Sequence, residues 1–240
     1  MHDIRRIDVQ EGILEENDHI AEHVNEHLSA HGVLVVNEMG APGVGKTTTI
    51  INIIPHLKCK PYVIEGDIET DIDTQDLRSL GIDTFQINTY GACHLDAPLI
   101  EHQVDHMSFD EPGVLFIENI GNLVCPAEFT IGEHVMMLIS TVTEGSDKPY
   151  KYPLAFEKAD IIIVNKVDLI PYLDFDEDFF MKGVRALNKD VPVFRVSGRT
   201  GEGFAEVAAW LDKKAAELEV KEHEHHHHEH GHHHEHGEQE

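Results

Sequence analysis

A mostly parallel β-sheet with helices on both faces is the fold this 240-residue sequence predicts, and three observations predict it. Short apolar, β-branched runs alternate with helical stretches along the chain. Most of those runs are apolar throughout rather than alternating with polar residues, as expected of strands covered on both sides. The first of them feeds a Gly-rich turn that opens directly into a helix.

In order, Ile13 to Leu28 has the pattern of an amphipathic helix. Val33-Leu34-Val35-Val36 is the first strand, ended by Asn37, and Thr47 to Ile54 is a helix halted near Pro55. Tyr62 to Ile64, Thr84 to Ile87, Val114 to Ile117, Val135 to Ile139, Ile161 to Val164 and Val193 to Val196 are further strands. Asp96 is placed to N-cap a helix with Pro98 in its first turn. Glu202 to Leu218 closes the fold, and there is no internal repeat. Residues 1–220 therefore form one domain. Residues 221–240, nearly all Glu, His and Gly, cannot bury apolar surface and are expected to be disordered without metal.

Composition excludes several functions. Lys and Arg number 18 against 45 Asp and Glu, a formal charge of −27, so no basic stripe is available to displace phosphate counterions and no nucleic-acid partner is expected. No apolar run approaches the length of a membrane span, and Met1-His2-Asp3 does not open a signal peptide. Three Cys with no framework spacing suit a reducing cytoplasm. The 20 His are unusual, and ten of them follow residue 222.

Gly40-Ala41-Pro42-Gly43-Val44-Gly45-Lys46-Thr47, with Thr48 behind it, matches the P-loop pattern in the required strand-to-helix setting, which makes the chain a P-loop NTPase. Glycines let backbone N–H groups turn onto phosphates, and the helix N-terminus adds positive potential. Lys46 is expected to reach the β- and γ-phosphates and Thr47 to coordinate Mg²⁺. Asn165-Lys166-Val167-Asp168 closes a later strand. A carboxylate there accepts two N–H groups of guanine and would meet an acceptor on adenine, so GTP and GDP are the expected nucleotides. Ser197-Gly198-Arg199 after the next strand is a weaker second reader, able to present a backbone N–H to guanine O6. Asp67, Asp73 and Glu118 are Mg²⁺ candidates. Glu118-Asn119-Ile120-Gly121 has the spacing of a D-x-x-G switch with Glu for Asp, which would bring Gly121 N–H to the γ-phosphate.

Cys93 and His94 share a loop, and Cys125 lies four residues beyond Gly121. Two thiolates and an imidazole suit Ni²⁺ or Zn²⁺, and three ligands leave a coordination position that a second copy of the chain could share. His102 and His106, spaced i, i+4, are auxiliary candidates, with a solvated helix face as the plainer reading. Cys59 is read as structural. The tail histidines His225, His226, His227, His228, His232, His233 and His234 suit metal buffering, an expression tag being the alternative.

Gly40–Thr47, Gly91–Ala97, Glu118–Pro126, Asp147–Pro153 and Asn165–Leu169 together resemble the HypB family of hydrogenase maturation GTPases, over roughly residues 5–215. The resemblance implies a metallochaperone GTPase that dimerises with GTP; turnover is expected to be slow because no internal arginine finger is evident in the sequence. It implies nickel insertion into the [NiFe]-hydrogenase large-subunit precursor beside a HypA-type zinc and nickel accessory protein, and it carries metal ligation onto Cys93, His94 and Cys125. Some relatives add histidines after the Cys-His pair, and one such position here is Pro98. Two other readings stay open. A urease-type nickel accessory GTPase typically shows Cys-Pro-His where this chain has Cys93-His94-Leu95. A nickel store with a vestigial core would need none of Lys46, Thr47 and Asp168.

Overall fold

The structure, a computed structural model, describes residues 9–66, 82, 84–89 and 91–229. Among these, the strands β1 (Val33–Gly40), β2 (Lys60–Glu65), β3 (Thr84–Gln86), β4 (Gly113–Glu118), β5 (Val135–Thr141), β6 (Ile161–Asn165) and β7 (Val193–Arg195) form one sheet of order β3-β2-β4-β1-β5-β6-β7. Every pairing is parallel. Their carboxyl ends therefore lie along one edge, where open sheets of this kind bind ligands.

Successive strand residues face opposite sides, so each strand feeds two cores. Leu34, Val36, Val114, Phe116, Met137 and Ile163 pack under α2 (Lys46–Ile53) and the closing helix, through Ile50, Ile53, Phe204 and Leu211. On the other face, Val33, Val35, Leu115 and Ile117 meet Val24 and Leu28 of α1 (Val9–Ala30) and Ile100 and Val104 of α3 (Ala97–Val104). The far half of that face is covered by Phe156, Phe180 and Val184, around Leu138 and Ile162. Phe116 is fully buried at the centre, and truncating such a side chain to Ala costs about 3–5 kcal/mol.

Several elements, α1, β2, β4 and β5 among them, run longer than their patterns predict, and for β1 and the closing helix the cause is visible. The first strand continues past Asn37 to Gly40, because Asn37 is satisfied inside the sheet. Its Nδ2 donates to Glu133 Oε1 at 3.3 Å, and its Oδ1 accepts from Asn119 Nδ2 at 3.1 Å. The closing helix, α4, spans Phe204–Glu229 rather than ending at Leu218. Ala, Glu, Lys and Leu are strong helix formers, and neither Gly nor Pro interrupts the sequence before Gly231. The stretch expected to be disordered thus begins as helix, carrying His225 to His228 on its backbone. His232, His233 and His234 lie outside the described residues. No helix among the described residues is long and apolar enough to cross a membrane.

Candidate functional site

The strand ends and the loops after them build three adjoining features. The first is the P-loop. Gly43 and Gly45 adopt φ of +74° and +96°, which suits glycine, and a Cβ on Gly45 would meet Asn165 Nδ2 at 2.7 Å. Lys46 is buried at the start of α2, its Nζ 3.9 Å from Glu118 Oε1. Thr47 Oγ1 donates to that same oxygen at 3.1 Å. Glu118 ends β4 in register with Glu38 on one side and Glu65 on the other. A hydroxyl and a carboxylate in contact are two hard oxygen donors, a set that fits Mg²⁺. Asp67 and Asp73 lie outside the described residues.

Glu38 is a feature sequence reasoning missed. It is wholly buried, and among the described residues neither of its carboxylate oxygens has a hydrogen-bond partner. Burial, reinforced by the like charge of Glu118 and opposed by Lys46, holds its carboxyl well above the usual carboxylate range. The signal was present: a lone acid in an apolar strand, two residues before the P-loop.

The second feature is a cavity of about 440 Å³ lined by Gly45, Thr48, Asn165, Lys166, Asp168, Leu169, Gly198 and Arg199. Asn165 ties it together. Its Nδ2 donates to Val44 O at 2.9 Å, and its Oδ1 accepts from Gly198 N at 3.1 Å. Lys166 is held at φ +62°, unusual for a residue with a Cβ and worth about 1–3 kcal/mol of strain. Its Nζ donates to Gly43 O at 2.7 Å, locking this strand end to the P-loop. Ser197 Oγ donates to Asp168 Oδ1 at 2.7 Å, and Arg199 Nε lies 3.9 Å from Oδ2. The Ser197 contact, which the motif alone did not reveal, fixes the orientation of the carboxylate expected to read guanine.

The third feature is the thiol–imidazole cluster. Cys93, His94 and Cys125 place their ligand atoms within 4.8 Å of one another, the only such group of three or more among the described residues. His102 and His106 are not drawn into it. Cys93 is exposed, and its Sγ lies 3.4 Å from His94 Nδ1. The His94 ring stacks on Phe129 with centroids 4.2 Å apart. A hydrogen bond with the Cys125 thiol, then burial and the repulsion of a second thiolate, push the Cys93 thiol up. Two thiols and an imidazole fit a soft or borderline divalent ion. As expected, Asp96 caps α3 through Leu99 N at 3.1 Å, which fixes where the Cys-His loop ends.

One loop joins these features. Residues 119–125 follow β4, and a Cβ on Gly121 would press on the Pro42 backbone at 3.0 Å. Asn122 bridges to Gly40 of the P-loop strand, while its Nδ2 donates to Cys93 O at 3.2 Å and its Oδ1 accepts from Val124 N at 2.9 Å. Asn119 Oδ1 accepts from Leu95 N at 3.1 Å.

Comparison with known proteins agrees with this arrangement. Residues 33–195 match the model of the CobW/HypB/UreG nucleotide-binding domain. The hydrogenase maturation factor HypB of Azotobacter vinelandii is 43% identical over 212 residues, covering 88% of this chain and 70% of that protein. The chain belongs to the HypB family. Two solved structures share its architecture at a TM-score of 0.79. HypB from Helicobacter pylori in complex with nickel is 33% identical and covers 84% of this chain and 96% of its own. HypB from Archaeoglobus fulgidus is 35% identical, with 84% and 100% covered. Among the described residues this chain thus shows a seven-stranded, all-parallel sheet with a P-loop, matching HypB structures, and residues 33–195 form a nucleotide-binding domain of the CobW/HypB/UreG type.

Proposed function

We propose that this chain is a slow, Mg²⁺-dependent GTPase that binds nickel, or zinc, at Cys93, His94 and Cys125 and releases nickel to a [NiFe]-hydrogenase precursor under control of the bound nucleotide. The observation that carries this reading is the 119–125 loop, which touches the P-loop through Gly121 and Asn122 and the metal loop through Asn122 and Cys125. The Helicobacter pylori HypB, solved in complex with nickel, supports the choice of cargo.

Each residue has its task. Gly40 to Thr48 cradle the phosphates, with backbone N–H groups and the Lys46 ammonium facing the transferred charge. Bound Mg²⁺ supplies further neutralisation of that charge. Thr47 and Glu118 are the ligands available for it, Asp67 and Asp73 being further candidates. Thr47 Oγ1 donates its proton to Glu118 and keeps its lone pairs, so the hydroxyl could ligate the metal without leaving the carboxylate. Asp168, held by Ser197, reads the guanine edge, and Gly198 sits beside it. Gly121 senses the γ-phosphate. Three protein ligands leave the cargo ion a further position, which supports a GTP-favoured homodimer and hand-over beside a HypA-type partner. The chain works in the cytoplasm as residues 1–220, with residues 221–240 as a metal-buffering tail.

Nickel titration of the whole chain, loaded with GDP or with a non-hydrolysable GTP analogue, tests the proposal. Thiolate-to-nickel charge-transfer absorbance reports the cysteine site alone and ignores the histidine tail. The midpoint is expected to differ between the two nucleotides, and GTP, not ATP, is expected to be turned over. Equal midpoints, or an unchanged midpoint in Cys125→Ala, would remove the coupling.

A further inference from the structure

We propose that the imidazole pair His27 and His31, at the C-terminal end of α1, forms a second, thiol-free site for a late first-row divalent ion, and that a similar pair stands at the end of α3. His19, His23 and His27 recur at four-residue intervals along α1, His31 continues the spacing in the turn just past its end, and all four are exposed. That spacing places the three helical histidines along one stripe, clear of the buried Val24 and Leu28. The rings of His27 and His31 lie with centroids 4.7 Å apart. Imidazole nitrogens about 2.0–2.1 Å from one shared ion are within reach of such a pair by side-chain rotation alone.

The hydrogen bonds favour ligation. His31 Nδ1 lies 2.8 Å from His27 O, a carbonyl, so the ring must donate there and its lone pair sits on Nε2, facing solvent. His23 Nδ1 lies 2.8 Å from Glu101 Oε1 across the two helices, which orients that ring in the same way. Carboxylate or carbonyl acceptors on the second ring nitrogen are the usual support of a metal-binding histidine. α3 repeats the device: His102 and His106 have centroids 4.8 Å apart, and His106 Nδ1 donates to His102 O at 2.7 Å. These two histidines, set apart from the cysteine cluster, thus gain a function of their own.

No third ligand atom closes on either pair, since among the described residues only Cys93, His94 and Cys125 bring three together. Each pair therefore offers two nitrogens and leaves the other positions to water. Such a site captures and exchanges an ion rather than burying it. Neutral imidazole favours Zn²⁺, Ni²⁺ or Cu²⁺ over Mg²⁺. The inference does not depend on the nucleotide reading.

Carbethoxylation of histidines in the whole chain, followed by peptide mass spectrometry with Zn²⁺ alone as the probe, resolves each ring. Zn²⁺ is expected to protect His27 and His31 with a common midpoint. In His27→Ala the His31 midpoint is expected to rise about tenfold or more, because losing even an outer-shell partner of a metal site costs that much. His102 and His106 keep their midpoint in that variant, which verifies the fold. An unmoved His31 midpoint in His27→Ala would overturn the proposal. So would wild-type protein in which Zn²⁺ saturates the tail histidines while His27 and His31 stay unprotected.

Discussion

The nucleotide cradle and the thiol–imidazole cluster flank the same loop, yet they are built on opposite principles. The cradle is tied before any ligand arrives: Asn165, Lys166 and Ser197 each commit a side-chain hydrogen bond to holding the P-loop or a neighbouring reader in place. Lys46 and Glu118 are buried within it. The cluster has an exposed Cys93, a half-buried His94 and Cys125, and three candidate ligand side chains where a closed site has four. The thiol and carboxyl shifts follow the same division. Glu38 is raised chiefly by burial, whereas Cys93 is raised first by its partner thiol. A rigid site can bind by preorganisation, whereas an open one can be altered by what moves beside it.

The largest test of the cradle removes its cation. Lys46→Ala is expected to lower GTP turnover by about 10²-fold or more, measured as phosphate release, since a preorganised charge facing the transferred phosphoryl is lost. Loss of less than about tenfold would mean that Lys46 stays on Glu118 during turnover rather than moving to phosphate. Next in size is Asp168→Asn. Guanine loses an acceptor while the exocyclic oxygen of xanthine gains an amide donor, so competition binding is expected to shift toward XDP by about 10²-fold. If GDP and ADP compete equally in the wild type, the cavity is not a guanine reader.

How much of this was legible in the sequence follows the same division. The P-loop, Asn165, Asp168 and the capping Asp96 were readable because each motif fixes a local backbone conformation within a few residues. Cys125 and the Cys93–His94 pair were readable as chemistry, and family likeness joined them. The ties were not readable: Asn122 to Cys93, Asn119 to Asn37 and Ser197 to Asp168 are contacts between strand ends that only the sheet order brings together. The extension of β1 through Asn37 and Glu38 was missed for a related reason. A polar residue in an apolar run ends a strand unless something distant satisfies it, and for Asn37 that something is Glu133 and Asn119.

Those ties sharpen the comparison at smaller scale. Asn122→Ala cuts the link from the switch loop to Cys93 O and leaves every proposed ligand in place. The ratio of nickel midpoints with GDP and with a GTP analogue, about tenfold if coupling is worth about 1.4 kcal/mol, is expected to fall toward one. Nickel affinity is also expected to rise with pH. The raised Cys93 thiol is protonated at neutral pH and must release its proton to bind, so each step below its pKa costs affinity. A flat pH profile would place the ion on imidazoles instead.

The smallest effect is a matter of stability and concerns Glu38. Its carboxyl titrates higher in the folded protein than in the unfolded chain, so folding takes up a proton in the interval between the two values. The wild type therefore keeps its full contribution from this group below the unfolded pKa, about 4.3, and loses it as pH climbs toward the folded pKa. Glu38→Gln has the same shape and no titration. The difference in unfolding free energy, Gln minus Glu, should thus grow in favour of Gln as pH rises above the unfolded value of about 4.3, read by urea denaturation. Lys46 opposes this trend, since its ammonium favours the ionised carboxylate. In the double variant Lys46→Ala, Glu38→Gln, compared with Lys46→Ala alone, the pH-dependent gap should therefore widen. A gap that stays constant with pH would mean that Glu38 is solvated in solution, and the contrast between a dry cradle and a wet cluster would fail at its most buried residue.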